Sequence, residues 1–180
     1  DRWFENLANS DFTVHQIRRD IAKPGTSLGV VITDFDTDGK NEVFVGNDVR
    51  PNHFLVQSEK NEFVNFADAN GLANGLDGAP NGCMGIATGD FNGDGRFDLQ
   101  IANYSQEAAN LYLQNQDGKF NDRSVAYGLD GPTRPLVGFG TKAVDIDRNG
   151  FLDFIVTNGH IFDMEHTGEP FRMAPQLLMS

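Results

Sequence analysis

The sequence is poor in residues that form cross-links and in residues that bind nucleic acid. Cys83 is the single cysteine, so an internal disulfide bond is impossible. We expect this small side chain to be buried and to pack in the interior. The 14 Lys and Arg residues are outnumbered by 26 Asp and Glu residues, for a formal net charge of −12. So acidic a chain lacks the basic stripe that phosphate binding requires. We therefore expect no nucleic-acid binding, and we interpret Arg18 and Arg19 as part of a solvated loop.

Long apolar runs and familiar catalytic motifs are also absent. No run of about 18 apolar residues occurs, so we expect no membrane insertion. The sequence has no nucleophile elbow, phosphate-binding glycine loop or recognisable Ser/His/Asp arrangement, and we do not expect an enzyme. The chain opens on Asp1 without an initiating Met or a signal peptide, and we expect a processed or excised segment.

Against these absences, one acidic nine-residue pattern returns three times. It occupies residues 34–42, 90–98 and 145–153, here named loop 1, loop 2 and loop 3. The loops begin 56 and then 55 residues apart, and such a regular spacing is typical of a repeat architecture. Gly39, Gly95 and Gly150 hold the sixth position, where the chain must turn tightly for oxygen atoms on both sides of the turn to converge. The pattern predicts a cation-binding loop in every repeat.

The donor set in these loops is one that calcium prefers. Positions one, three, five and nine carry carboxylate or amide side chains, and position seven offers a backbone carbonyl. Zinc would need His or Cys ligands, which the loops lack. We expect three calcium sites, of which loop 1, with the most carboxylates, binds most tightly. The predicted ligands are Asp34, Asp36, Asp38, Lys40 and Glu42 in loop 1; Asp90, Asn92, Asp94, Arg96 and Asp98 in loop 2; and Asp145, Asp147, Asn149, Phe151 and Asp153 in loop 3.

An EF-hand and a plain acidic turn are the alternatives to this interpretation. An EF-hand needs a bidentate Glu at position twelve and a helix on each side of the loop. Position twelve is Val45, Ile101 and Val156, each in a short apolar run that favours a strand. A single loop would equally be a solvated hairpin turn, but three copies in one register favour the metal site.

Short apolar runs around each loop predict four strands per repeat. The first strands cover residues 28–33, 84–88 and 139–144, the second strands end at residues 47, 103 and 158, and the third strands start at residues 53, 110 and 176. The predicted fold class is all-β, with β-propeller blades of four antiparallel strands and about three blades in a partial or open propeller. The predicted units are residues 1–27 (the last two strands of a blade), 28–83 (a blade with loop 1), 84–138 (a blade with loop 2) and 139–180 (an incomplete blade with loop 3).

These residues together resemble a known repeat family. A glycine at strand one, an Asp-x-Asp-x-Asp-Gly-x-x-Asp loop and a following apolar strand are similar to the FG-GAP/VCBS repeats of integrin-alpha-type β-propellers. The asparagine-rich residues 110–115 and the Asn-Gly-His at residues 158–160 more closely resemble the bacterial secreted branch of the family and its cartilage-acidic-protein relatives. The Phe-Gly pair of the family's name survives only as Phe139-Gly140.

The resemblance implies an extracellular or periplasmic module that acts in recognition, adhesion or assembly, with calcium bracing the loop between strands one and two. It implies a protein or carbohydrate ligand, and the incomplete blades add possible self-association or docking to further blades. The alternative is the accessory or substrate-binding part of a secreted enzyme, for example a carbohydrate-binding part.

An insertion at residues 160–172 lengthens the connection between strands two and three of the last repeat. His160, His166 and the acidic residues Asp163, Glu165 and Glu169 lie in it. A polar surface loop is the favoured interpretation, and a transition-metal site or a general acid/base pair is the alternative. We also expect this loop to contact a neighbouring chain or domain.

Overall fold

The computed structural model describes residues 2–6, 11–16, 25–58, 62–163 and 165–180, and within them the regular structure is almost entirely β. Arg18 and Arg19 lie outside the described residues. The strands are β1 (Arg2–Asn6), β2 (Phe12–Gln16), β3 (Ser27–Thr33), β4 (Glu42–Asn47), β5 (His53–Gln57), β6 (Phe63–Asn65), β7 (Cys83–Gly89), β8 (Asp98–Asn103), β9 (Asn110–Gln114), β10 (Phe120–Asp122), β11 (Gly138–Val144), β12 (Asp153–Asn158) and β13 (Gln176–Leu178).

Helical structure is limited to two short elements within the described residues. The α-helix α1 (Asp130–Thr133) makes a single turn, and a 3₁₀ turn spans Glu165–Thr167. Among these residues, no helix has the length and apolar character needed to span a bilayer.

In the described part of the chain, the strands form four antiparallel sheets, each built from strands that are consecutive in the chain. β1 and β2 form a hairpin; β3 to β6 form the first sheet, β7 to β10 the second sheet and β11 to β13 the third sheet. The prediction of an all-β fold made of antiparallel sheets is thereby confirmed. The ring arrangement of a propeller, and the division of the chain at residues 28, 84 and 139, stay predictions.

Glycines in the first strands allow successive sheets to approach closely. A Cβ atom on Gly29 would lie 2.6 Å from the Met84 carbonyl oxygen, and one on Gly85 would overlap the Phe139 carbonyl oxygen. The glycine at the same place in the third sheet, Gly140, would meet only the Thr157 hydroxyl, at 3.1 Å. The first sheet therefore packs on the second as the second packs on the third.

Among the described residues, two hydrophobic cores lie between these sheets. The core between the first and second sheets is built around a triangle of edge-to-face rings, Phe35, Phe54 and Phe120, with centroids 5.5 to 5.9 Å apart. Cys83 is buried in this core, and burial raises the pKa of its thiol to about 12, which confirms the packing role. The core between the second and third sheets contains Phe91, Ala102, Leu111, Leu129, Phe154 and Val156.

Candidate metal centres

The three acidic loops fold in the same way, through hydrogen bonds from their own backbone to their own side chains. Each loop joins the first strand of a sheet to the second strand. In loop 1, the Asp34 carboxylate accepts from the backbone N–H of Asp38 at 3.1 Å and of Gly39 at 2.9 Å. Asp90 in loop 2 and Asp145 in loop 3 accept from the same two positions, at 2.8 to 3.1 Å. The carboxylate at position one thus holds the turn.

Each loop turns through two residues with left-handed backbone. Position six is glycine in all three loops, with φ between 84° and 93°, as the sequence predicts. Position four is also left-handed, but only loop 2 has glycine there: Thr37 has φ 62°, Gly93 has φ 77° and Arg148 has φ 64°. Sequence analysis missed this second turn residue because Thr and Arg carry no signal for positive φ.

The carboxylate at position nine is buried and ties the loop to the sheet below it. Glu42, Asp98 and Asp153 are each at most 2% exposed. Each accepts a hydrogen bond, at 2.8 to 2.9 Å, from the backbone N–H of position two. The other oxygen of Asp98 accepts from the Gln114 N–H at 2.8 Å, and that of Asp153 from the Ser180 N–H at 2.9 Å. These residues therefore join loops 2 and 3 to the third strand.

The protonation of these buried carboxylates reflects the charge around them. Burial, together with the negative charges of Asp36, Asp38 and Asp34, raises the pKa of Glu42. Burial and the charges of Asp94 and Asp90 raise the pKa of Asp98 to about 6. In loop 3, hydrogen bonds from Ser180 and Ile146 lower the pKa of Asp153 instead. Burial therefore disfavours the ionised form of Glu42 and of Asp98, and a bound cation would favour it.

Two of the three loops bring carboxylates together closely enough to share one ion. Oxygen atoms of Asp34, Asp36 and Glu42 lie within 4.8 Å of one another, and so do those of Asp145, Asp147 and Asp153. Two ligand oxygens on one calcium ion, each about 2.3–2.6 Å from it, are separated by no more than about 5 Å, so both groups fit. Asp38, Asn149 and the backbone carbonyls of Lys40 and Phe151 stay predicted ligands.

Loop 2 differs, because its amide stands at position three and an arginine side chain already pairs with the carboxylate at position five. Within the described ranges, no group of three acidic, His or Cys residues meets in this loop. Asn92 donates its side-chain amide to Asp94 at 2.9 Å, and the Arg96 guanidinium lies 2.7 Å from the same carboxylate. Asp90, Asn92, Asp94, Asp98 and the Arg96 carbonyl therefore stay a predicted site.

The asparagine that ends each second strand has a role that sequence analysis missed. Its side-chain amide donates to the carbonyl that lies two residues before the third strand, so it closes the connection between the strands. The hydrogen-bond acceptor of a side chain cannot be predicted from the neighbouring sequence. The recurrence of Asn at the end of each second strand is nevertheless a signal that the sequence contains. The three bonds are Asn47 to Pro51 at 2.7 Å, Asn103 to Ala108 at 2.6 Å and Asn158 to Ala174 at 2.9 Å.

The insertion in the last repeat packs on its own chain at His160. This buried ring lies 3.2 Å from a Glu169 oxygen and 3.1 Å from the Tyr104 hydroxyl, and its Nδ1 accepts from the Phe162 N–H at 3.2 Å. The neutral ring therefore carries its proton on Nε2. In the part of the chain that the structure describes, neither His160 nor His166 belongs to a potential metal cluster. The contact of this insertion with a neighbouring chain stays a prediction.

The fold and the loops define a class of protein: an array of antiparallel β-sheets, each with an acidic cation-type loop between its first two strands. Residues 34–101, which contain loop 1, loop 2 and the strands between them, match the family model of the FG-GAP-like repeat. This stretch of the chain is similar to the FG-GAP-like repeat, and the resemblance seen in the sequence is confirmed.

Curated relatives agree with this assignment. Cartilage acidic protein 1 of Homo sapiens is 27% identical over 135 residues, which cover 73% of this chain and 20% of the human protein. Cartilage acidic protein 1 of Mus musculus is 26% identical over 161 residues, 87% of this chain and 24% of the mouse protein. The chain thus spans about a fifth to a quarter of the length of these relatives.

Proposed function

We propose that this chain is a segment of a β-propeller whose acidic loops bind calcium, and that it serves extracellular recognition, adhesion or assembly without catalysis. The observation that carries the proposal is the recurrence of one loop geometry at three places, with carboxylate groups within 4.8 Å of one another in two of them. Repetition of this kind is expected of a metal-binding site and not of an incidental acidic turn.

In this proposal calcium is held by the carboxylates of loops 1 and 3 that already lie together, and by the side chains of loop 2. The ion supplies positive charge to carboxylates that burial would otherwise neutralise, and it braces the connection between the first two strands of each sheet. Because an acidic chain is destabilised by repulsion among its charges, neutralisation stabilises the fold as a whole. A calcium requirement of this kind suits an extracellular or periplasmic location, where calcium is abundant.

The array also presents an apolar face for a further repeat. Leu28, Val30 and Ile32 on β3 are each about 60% exposed. Strand β7 occupies the same place in the second sheet, and its Ile86 corresponds to Val30. Ile86 packs against Gly29 of the first sheet: a Cβ atom on Gly29 would lie 2.8 Å from the Ile86 Cδ1 atom. The proposal is that the outer face of β3 meets the end of another array, in the same chain or in a second copy.

The second candidate is a carbohydrate-binding part of a secreted enzyme, and a polar cleft favours it. This cleft of about 520 Å³ lies beside loop 1, between the first and second sheets. Its lining includes the amides of Asn70, Asn115 and Gln116, which suit sugar hydroxyls. Binding in a glycan array, lost in an Asn115→Ala variant that folds normally, would favour this candidate; no binding to any glycan would remove it.

Calcium titration calorimetry tests the first proposal directly. We expect three calcium ions per chain, with one site lost in each of the variants Asp36→Asn and Asp147→Asn. The matched control is Asp117→Asn, which removes an exposed carboxylate from the β9–β10 turn and should leave the stoichiometry unchanged. Equal and weak heats in wild type and in both loop variants would contradict the proposal.

A further inference from the structure

The polar cleft beside loop 1 contains a buried side-chain amide whose carbonyl oxygen has no partner. Gln114, the last residue of β9, lines this cleft and is 4% exposed. In the described part of the chain, its Oε1 atom is buried and accepts no hydrogen bond. Buried acceptors almost always have a donor, because an unpaired one destabilises the fold. A donor supplied by a ligand would account for this exception.

The geometry of β9 aims the Gln114 side chain at the first sheet. Side chains alternate between the two faces of a strand, and Tyr112, two residues earlier, packs in the core between the first and second sheets. Gln114 therefore points to the same side. Its backbone is fixed, since its N–H donates to the Asp98 carboxylate at 2.8 Å and its carbonyl accepts from the Arg96 Nε at 3.3 Å. The amide is thus held in place without a ligand.

The charges of the cleft restrict which ligand could supply the missing donor. Asp36, Glu42 and Asp117 line it, and among its described lining residues Arg96 carries the only positive charge. The Arg96 guanidinium lies 2.7 Å from the Asp94 carboxylate, so its charge is already compensated. Sulfate, phosphate and uronic-acid groups would meet a negative field here. An ammonium group would compete with the calcium ion that we propose for Asp36 and Glu42, so an uncharged hydroxyl fits best.

We propose that the cleft binds a neutral sugar, and that Gln114 sets this specificity by accepting a hydrogen bond from one sugar hydroxyl. The amides of Asn70 and Gln116 line the same cleft and are available to further hydroxyls. A site built to hydrogen-bond a hydroxyl rejects ligands that lack it, because they leave the buried acceptor unpaired. The inference rests on the second candidate of the proposed function, to which it adds a ligand class and the residue that selects it.

An apolar side chain of similar length at residue 114 tests whether the amide serves a ligand. We expect Gln114→Met to raise Tm by about 3 °C in the absence of any sugar, because it removes a buried acceptor that has no donor. The matched control for stability is Gln116→Met, which changes an exposed glutamine of the β9–β10 turn and should leave Tm unchanged. A fall in Tm with Gln114→Met would show that the amide stabilises the fold, and would overturn the inference.

A glycan array in millimolar calcium provides the second measurement. The probes are neutral oligosaccharides of glucose, galactose, mannose and N-acetylglucosamine, with sulfated and uronic-acid oligosaccharides beside them. We expect binding to neutral probes only, weakened about tenfold by Gln114→Met. Preference for the acidic probes, or equal binding by wild type and Gln114→Met, would overturn the inference and leave the carbohydrate candidate standing. Binding to no probe would overturn both, without affecting the calcium proposal.

Discussion

At the scale of single residues, the fourth position of the loops concentrates backbone strain. Thr37 is β-branched and left-handed, at φ 62°, whereas loop 2 has Gly93 at the same position. Left-handed backbone costs an ordinary residue roughly 1–2 kcal/mol. Glycine avoids this cost, but it is more flexible in the unfolded chain, and this flexibility offsets part of the stabilisation.

We predict that Thr37→Gly raises the free energy of unfolding by about 0.5–1 kcal/mol in urea denaturation with chelator present. Arg148→Gly should stabilise in the same direction but less, because Arg is not β-branched. The reverse change, Gly93→Thr, should destabilise by about 1 kcal/mol. Destabilisation by Thr37→Gly would show that the turn of loop 1 is not strained.

The asparagine at the end of a second strand allows a second prediction at this scale. Asn103 is buried and donates to the Ala108 carbonyl at 2.6 Å and to the Asn110 side chain at 2.7 Å. Asn103→Ala removes this donor from the half-buried Ala108 carbonyl and from the buried Asn110 side chain, so we expect a loss of about 2–3 kcal/mol in the free energy of unfolding. Asn121→Ala, on the exposed side of β10, is the control and should change it by less than about 0.5 kcal/mol. Equal effects would argue against the proposed closure.

At the scale of elements, the glycines of the first strands decide how sheets pack. A methyl group on Gly85 would overlap the Phe139 carbonyl, whereas one on Gly140 meets a single hydroxyl. We predict that Gly85→Ala costs about 2–3 kcal/mol because it forces the second and third sheets apart, and that Gly140→Ala costs less than about 1 kcal/mol. Thermal unfolding of the two variants measures the difference. If a further repeat is joined to the third sheet, the cost of Gly140→Ala should rise towards that of Gly85→Ala.

The elements are also where prediction from sequence succeeded and where it failed. The second strands after each loop, Glu42–Asn47, Asp98–Asn103 and Asp153–Asn158, end at the predicted residues because their apolar runs are flanked by clear turn residues. Helix α1 (Asp130–Thr133) was not expected, since a single turn is too short to show helical periodicity.

The candidate metal sites in the three loops were also predictable only in part. Spacing alone identified the three loops and the glycine at position six, because a tight turn and convergent oxygens impose both. Spacing did not reveal that Arg96 pairs with Asp94 in loop 2, since that contact depends on side-chain conformation. Nor did it reveal that the residues at position nine are buried anchors as well as predicted ligands, because burial depends on the packing of the whole sheet.

At the scale of the whole molecule, the exposed face of β3 is the surface that we propose for association. Its apolar side chains are covered at the corresponding place in the next repeat, so we predict concentration-dependent self-association that Ile32→Lys weakens by roughly tenfold in sedimentation equilibrium. Ile161→Lys, which changes an equally exposed isoleucine in the insertion, is the control. If the control weakens association as much as Ile32→Lys, the insertion, and not β3, is the interface.

Calcium dependence of thermal unfolding tests the central claim most directly. Each ion that binds only the folded chain adds about 2.7 kcal/mol at a hundred times its dissociation constant. Three such ions add about 8 kcal/mol. With about 2–4 °C of Tm for each kcal/mol in a chain of this size, they should raise Tm by roughly 16–32 °C between excess chelator and millimolar calcium, and magnesium should give little of this gain. A Tm that is the same in calcium and in chelator would contradict the account and leave the three loops as ordinary acidic turns.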